Sequence, residues 1–251
     1  MTLKGIVKPA SHTVIRHIKL LCSSFVSFSE SKLLGSDKKL PKLPEAFMRL
    51  PRSQHGLFKL IRDYEFNSVL DVGSGAGEHA EMFASQGKTV TALDFGTNVH
   101  SRISESKNHD IRKIDANFYE VTFDEKFDCI WASHVLEHQP DSGQFIRRCM
   151  ALAKEDGVLA ITVPPLKHTI VGGHLSLWNP GLLLYQLVFN GLDCRDAAIC
   201  TYDYNITILV RNRRRKDVAL KWDSGDIEAL KKYFPEFVNE PFNGQIAQWN
   251  W

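Results

Sequence analysis

Three residues in the segment ASHVLEHQPD (132–141) have the right types to hold a metal: His134, Glu137 and His138 follow the His-x-x-Glu-His spacing of zinc-dependent peptidase helices. Zinc bound by two imidazoles and a carboxylate would make a nucleophile of its water at neutral pH. That chemistry needs both histidines on one face of a long, rigid helix. Pro140 follows His138 by two residues and disfavours helical backbone at Gln139, which leaves the motif barely one turn. On these residues alone the zinc reading stays open, although activity is expected to survive chelation. Two further histidines, His168 and His174, stand in PPLKHTIVGGHLSLWNPGLLLYQLVFNGLD (164–193), the second beside the flexible pair Gly172-Gly173. Imidazole titrates near neutrality and is suited to accept a proton.

A second chemical signal is LDVGSGAGEHA (70–80). Gly73, Gly75 and Gly77 allow a tight turn and let backbone amides approach a ligand at a helix N-terminus, where the partial charge is positive. A dinucleotide fingerprint would place its third glycine one residue later, so the loop does not match that pattern. Asp71 precedes the loop, and Asp94 ends the next apolar run, where a carboxylate can accept hydrogen bonds from both ribose hydroxyls.

These residues need elements to position them. SVLDVG (68–73), KTVTALD (88–94), IRKID (111–115), FDCIWAS (127–133) and GVLAITV (157–163) are short β-branched runs separated by segments of helical periodicity. Such alternation predicts a parallel sheet with helices on both faces. CRDAAICTYD (194–203) and NITILVR (205–211) are separated only by a turn around Asp203 and Tyr204, too short for a parallel crossover, so they predict an antiparallel hairpin at the sheet edge. Upstream, Val14, Ile18, Leu21, Phe25 and Phe28 form an apolar stripe in a basic segment, read as an amphipathic helix. Residues 29–56, with Ser, Lys and three prolines, read as linker. The expected organisation is a helical extension and linker over 1–56 and a catalytic domain over 57–251.

VLDVGSGAGEHA, VTALDFG, IDANF and FDCIWASHVLEH, in this order and at these separations, resemble the class I S-adenosylmethionine-dependent methyltransferases, in particular the small-molecule and ubiquinone-biosynthesis-type group. The resemblance covers roughly residues 67–211. It implies a Rossmann-like α/β fold, a seven-stranded sheet in the order 3-2-1-4-5-7-6 with strand 7 antiparallel, and S-adenosylmethionine as cofactor. It implies that Gly73, Ser74, Gly75 and Gly77 wrap the methionyl part and that Asp71 positions its amino group. Asp94 should hold the ribose, Phe95 should flank the adenine, and Asp115 with the Ala116 and Asn117 backbone should face the adenine amino group. Ser133 and His134 should lie near the reactive methyl. In such enzymes the segment after the fourth strand often reads like SHVLEH and lines the pocket, so the resemblance implies that the zinc spelling is coincidental and no metal is assigned. His174 is the leading candidate for the general base and His134 the second, with a structural role open for both.

The implied reaction is O-methylation of a small molecule or of a sugar hydroxyl on a glycan or lipid-linked intermediate. A small amine acceptor, or a cofactor-binding but inactive scaffold subunit, are the alternatives. Composition narrows the partners. Residues 1–66 carry twelve Lys and Arg against five Asp and Glu, whereas the remainder carries 19 against 24. With no aromatic interleaving in the basic run RNRRRK (211–216) and an acidic body, nucleic acid is not favoured. The five cysteines form no Cys-x-x-Cys pair, which fits a cytoplasmic protein. The N-terminal stripe could contact a protein partner or a membrane surface.

Overall fold

The computed structural model describes residues 39–95, 111–223, 225–236, 244 and 246–251. Its centre is one sheet of β1 (Ser68–Val72), β2 (Thr89–Asp94), β3 (Ile111–Asp115), β4 (Phe127–Ser133), β5 (Ala153–Val163), β6 (Ala198–Tyr202), β7 (Asn205–Arg211) and β8 (Gln248–Trp249). The strands lie in the order β3-β2-β1-β4-β5-β7-β6-β8. β1 to β5 pair in parallel, and β7 runs antiparallel to both β5 and β6. The expected order is thus present. β8, which pairs with β6, is an addition that its two-residue length hides from any periodicity argument.

The strands are apolar throughout because both faces are covered, and successive residues serve opposite cores. Leu70, Ile130, Leu159 and Ile161 pack with α4 (Ser142–Leu152) and α5 (Pro180–Phe189) on one side. Val69, Cys129, Trp131, Val158 and Ala160 pack with α2 (Gln54–Asp63) and α3 (Glu78–Ser85) on the other. α4 presents Phe145, Ile146, Cys149 and Met150 inward at helical spacing, and its first turn is capped where Asp141 Oδ1 accepts from Gln144 N at 2.8 Å. α5 begins at Asn179, whose Oδ1 accepts from Leu182 N at 2.8 Å, with Pro180 at the first helical position.

Residues 39–56 are more ordered than a polar linker reading suggests. α1 (Glu45–Met48) buries Phe47, Leu50 is buried behind it, and α2 starts at Gln54. Each such apolar side chain contributes about 1.5–3 kcal/mol by burial, enough to hold a proline-containing stretch on the core. The N-terminal stripe at 14–28 lies outside the described residues. Among those described, no helix is long and apolar enough to cross a membrane. Cys129, Cys149, Cys194 and Cys200 are buried free thiols.

Candidate active site

The glycine loop leaves the C-terminal end of β1 and turns into α3. Gly73, Gly75 and Gly77 have φ of 71°, 54° and 85°, left-handed values that side chains disfavour. At Gly73 space also decides: a Cβ there would meet Val135 Cγ2 at 2.4 Å. The loop therefore touches the segment that follows β4. Gly73 N and Ser74 N donate to the Leu93 carbonyl at 2.8 and 3.1 Å, and Gly75 N donates to Asp94 Oδ2 at 2.9 Å. Ser74, Gly75, Asp94, Lys113 and Asp115 line one cleft.

Asp71 is 1% exposed, and its Oδ2 has no hydrogen-bond partner within the protein, as is also true of Ser74 Oγ. Burial, reinforced by the charges of Asp94 and Glu78, pushes the Asp71 carboxyl up to about 8. A buried acid and hydroxyl without partners beside a left-handed glycine loop fit a ligand that brings a cationic donor, as the amino group of S-adenosylmethionine does. In the ligand-free protein the linkage has a definite sign. The folded value lies above the unfolded value of about 3.9, so the contribution of Asp71 is intact below that pH and is lost as pH rises towards 8. Asp71→Asn should match the wild type in melting temperature near pH 4 and exceed it near pH 8. Parallel melting curves across that range would show that Asp71 is not the protonated acid.

The adenine side is assembled by register. Asp94 and Asp115 are paired neighbours at the ends of β2 and β3, which brings the two predicted acids together. Phe95 follows, 58% exposed. Ala116 N donates to the Asp94 carbonyl at 2.9 Å, so that amide is engaged. Asn117 closes a turn: its Oδ1 accepts from Tyr119 N at 3.0 Å and its Nδ2 donates to Glu120 at 2.8 Å.

On the other side of the loop, Ser133 ends β4 and its hydroxyl lies 2.6 Å from that of Ser53. His134 adopts φ 58° and is 8% exposed. Its Nε2 lies 3.0 Å from Asn205 Oδ1, an atom that also accepts from Ser53 N at 3.2 Å. Since that oxygen is an acceptor, His134 Nε2 carries a proton and Nδ1 faces Glu137 Oε1 at 3.3 Å. The motif is not a peptidase helix; Leu136–His138 is one 3-10 turn. His138 Nδ1 donates to the Gly173 carbonyl at 2.7 Å, and the His138 and His174 rings meet edge to face with centroids 4.9 Å apart. His174 is partly exposed, and burial is the main cause that holds it below the ordinary histidine value, so its ring is neutral at pH 7. His168 is exposed.

Sequence reasoning missed Ser53 and Asn205, which hold Ser133 and His134. Ser53 arrives from the stretch read as linker and Asn205 from β7, and no local pattern joins them to the motif. Much of the basic run has structural partners. Arg213 pairs with Asp156 and Asp196, while Arg215 donates to the Val188 and Phe189 carbonyls at the C-terminal end of α5. Cations at that end of a helix satisfy its free carbonyls.

Residues 70–161 match a family described as a methyltransferase domain. The ubiquinone biosynthesis O-methyltransferase of Haemophilus ducreyi is 32% identical over 172 residues, 63% of this chain and 63% of that protein. The enzyme of that name from Pseudomonas fluorescens is 35% identical over 95 residues, 36% of this chain and 40% of that protein. The chain thus matches less than two thirds of the length of these relatives. In fold it is similar to the Burkholderia thailandensis 1,6-didemethyltoxoflavin-N1-methyltransferase with bound S-adenosylhomocysteine, with a TM-score of 0.53 and 20% identity, over 82% of this chain and 92% of that one. Strand order, glycine loop, sequence match and fold agree in supporting a class I S-adenosylmethionine-dependent methyltransferase, with residues 70–161 matching its methyltransferase domain.

Proposed function

We propose that the chain methylates a hydroxyl of a small molecule, with a phenolic or sugar hydroxyl as the acceptor. The observation that carries this is the contact between Gly73 and Val135. It sets the glycine loop, with Asp71 and its partnerless Oδ2 just before it, against the segment bearing Ser133, His134, Glu137 and His138. When bound, S-adenosylmethionine supplies an electrophilic methyl group on a sulfonium. The chain's own task is then to hold the acceptor oxygen in line, exclude water and draw off the hydroxyl proton. Asp71, Gly73, Ser74, Gly75 and Gly77 hold the methionyl end; Asp94, Phe95 and Asp115, with the Ala116 and Asn117 backbone, hold the nucleoside.

A hydroxyl is a weak nucleophile at neutral pH, and the histidines supply what it needs. His134 is tied on one nitrogen by Asn205 and faces Glu137 with the other, so it orders the segment. His174 is neutral, partly exposed and carried on a loop with two adjacent glycines, and we assign it to the acceptor proton. The relatives named as O-methyltransferases favour an oxygen acceptor.

Two measurements test the reading. Calorimetry should show one S-adenosylhomocysteine bound per chain. Purified protein should convert S-adenosylmethionine to S-adenosylhomocysteine in the presence of catechols, other phenols or glycosides, at a rate set by the acceptor. Turnover confined to amines would overturn the assignment of oxygen, and lack of cofactor binding would overturn the function itself.

A further inference from the structure

We propose that Arg52 and Lys167 form an anion subsite beside the acceptor site, so that the hydroxyl compound methylated here carries a carboxylate or phosphate group. The inference deepens the O-methylation reading and rests on it, since it concerns the acceptor of that same site. Neither residue belongs to a motif: Arg52 lies in the proline-containing stretch read as linker, and Lys167 in the crossover after β5.

The backbone of Arg52 is pinned at the site. Its neighbour Ser53 is buried with a left-handed φ of 56°; the Ser53 amide donates to Asn205 Oδ1 at 3.2 Å, and its hydroxyl lies 2.6 Å from that of Ser133. On the other side, His79 Nδ1 accepts from the Trp131 indole at 3.2 Å, so its Nε2 carries the proton and donates to the Arg52 carbonyl at 3.0 Å. The Arg52 side chain itself is exposed. Burial is the first cause of the low His174 pKa, and the Arg52 charge is one of the lesser ones, which places the guanidinium within Coulombic reach of that imidazole.

Lys167 is steadied beside the same segment. Its Nζ stands 4.0 Å from the centre of the Tyr204 ring, and that ring lies nearly parallel to His134, at 27° with centroids 6.2 Å apart. The loop carrying Lys167 and His174 is closed at its neck, where Leu166 N donates to the Trp178 carbonyl at 2.8 Å, and Leu175 N and Ser176 N fasten it to the Glu137 carbonyl at 2.8 and 3.3 Å. Among the described residues neither cation has a carboxylate at ion-pair distance, whereas Arg62, Arg147, Arg195 and Arg213 each do. An anionic substituent on the acceptor supplies the missing partner: a guanidinium offers a fork to carboxylate or phosphate oxygens, and an ammonium adds a point charge. Leu175, next to His174, is 64% exposed and gives apolar contact to the body between that anion and the hydroxyl. The subsite adds no chemical step; it turns the acceptor so that its oxygen meets the methyl group in line.

The test uses the full chain with S-adenosylhomocysteine bound, titrated by calorimetry with catechol, 3,4-dihydroxybenzoate and 3,4-dihydroxyphenyl phosphate. At least one of the anionic compounds should bind about tenfold or more tightly than catechol, and the tighter of the two identifies the group. Arg52→Gln and Lys167→Gln should each remove most of that advantage, and Arg52→Glu should make both anions bind less tightly than catechol. Added salt should shrink the preference. Both side chains are exposed, so the variants keep their fold, and S-adenosylhomocysteine affinity in the same samples checks it. Anions that bind no more tightly than catechol, no binding by any of the three, or a preference that survives all the variants overturns the proposal. Turnover separates it from the oxygen reading. If the binding preference holds but only 3-aminobenzoate is methylated, the oxygen acceptor falls and the subsite stands. If catechol and 3,4-dihydroxybenzoate are methylated with equal kcat/KM, the subsite falls and the oxygen acceptor stands.

Discussion

His174→Ala is expected to lower turnover by about 10²- to 10⁴-fold while S-adenosylhomocysteine affinity stays unchanged. The range is that of losing the group that removes a proton in the transition state. Affinity should hold because His174 sits on the loop after β5 and shares no hydrogen bond with Asp71, Ser74 or Asp94. The wild-type rate should rise with pH and level off below the ordinary histidine value, because burial lowers the pKa of this ring. In the variant that limb should disappear. Near-normal turnover in His174→Ala combined with a collapse in His134→Ala would move proton removal to the segment after β4. If neither change mattered, the acceptor would be an amine or thiol.

Asp94→Ala should weaken cofactor binding by about 1.5–3 kcal/mol, roughly 10- to 150-fold, with circular dichroism unchanged. Two losses combine. The carboxylate accepts the Gly75 amide at 2.9 Å and thereby fixes the left-handed loop, and it is the group we assign to the ribose hydroxyls. Its position at the open end of β2 means that no core packing is removed. The same change takes away one of the charges that hold Asp71 up, so the pH at which Asp71 titrates should fall. Calorimetric affinity equal to that of the wild type would dismiss the ribose assignment.

Much of the fold was legible because it is written in local patterns. β-branched runs alternating with amphipathic segments give a parallel sheet, and the two-residue break at Asp203-Tyr204 forces the last pair to be antiparallel. Asp71, Gly73, Gly75, Gly77 and Asp94 were legible for a similar reason. They sit at fixed offsets from the ends of two strands, and a parallel sheet delivers strand ends to one edge. The ordered stretch 39–56 was hidden because its burial comes from long-range packing of Phe47 and Leu50, while its composition is that of exposed chain.

The sequence by itself determined the layered fold, the family resemblance, and the loop with its two acids, since backbone periodicity and glycine conformation act within a few residues. It also supplied every histidine, but not their company. Only the tertiary structure decided that His134 is bound to Asn205 of β7, that Ser133 meets Ser53, and that His174 joins Glu137 and His138. The reason lies in what sets each contact. Pro140 stops the helix that would have aligned the motif with itself, and the hydrogen bonds from Leu175 and Ser176 to the Glu137 carbonyl then fold a distant loop onto the resulting turn. That choice was made by backbone groups that every residue carries, and their partners have no signature in the order of side chains.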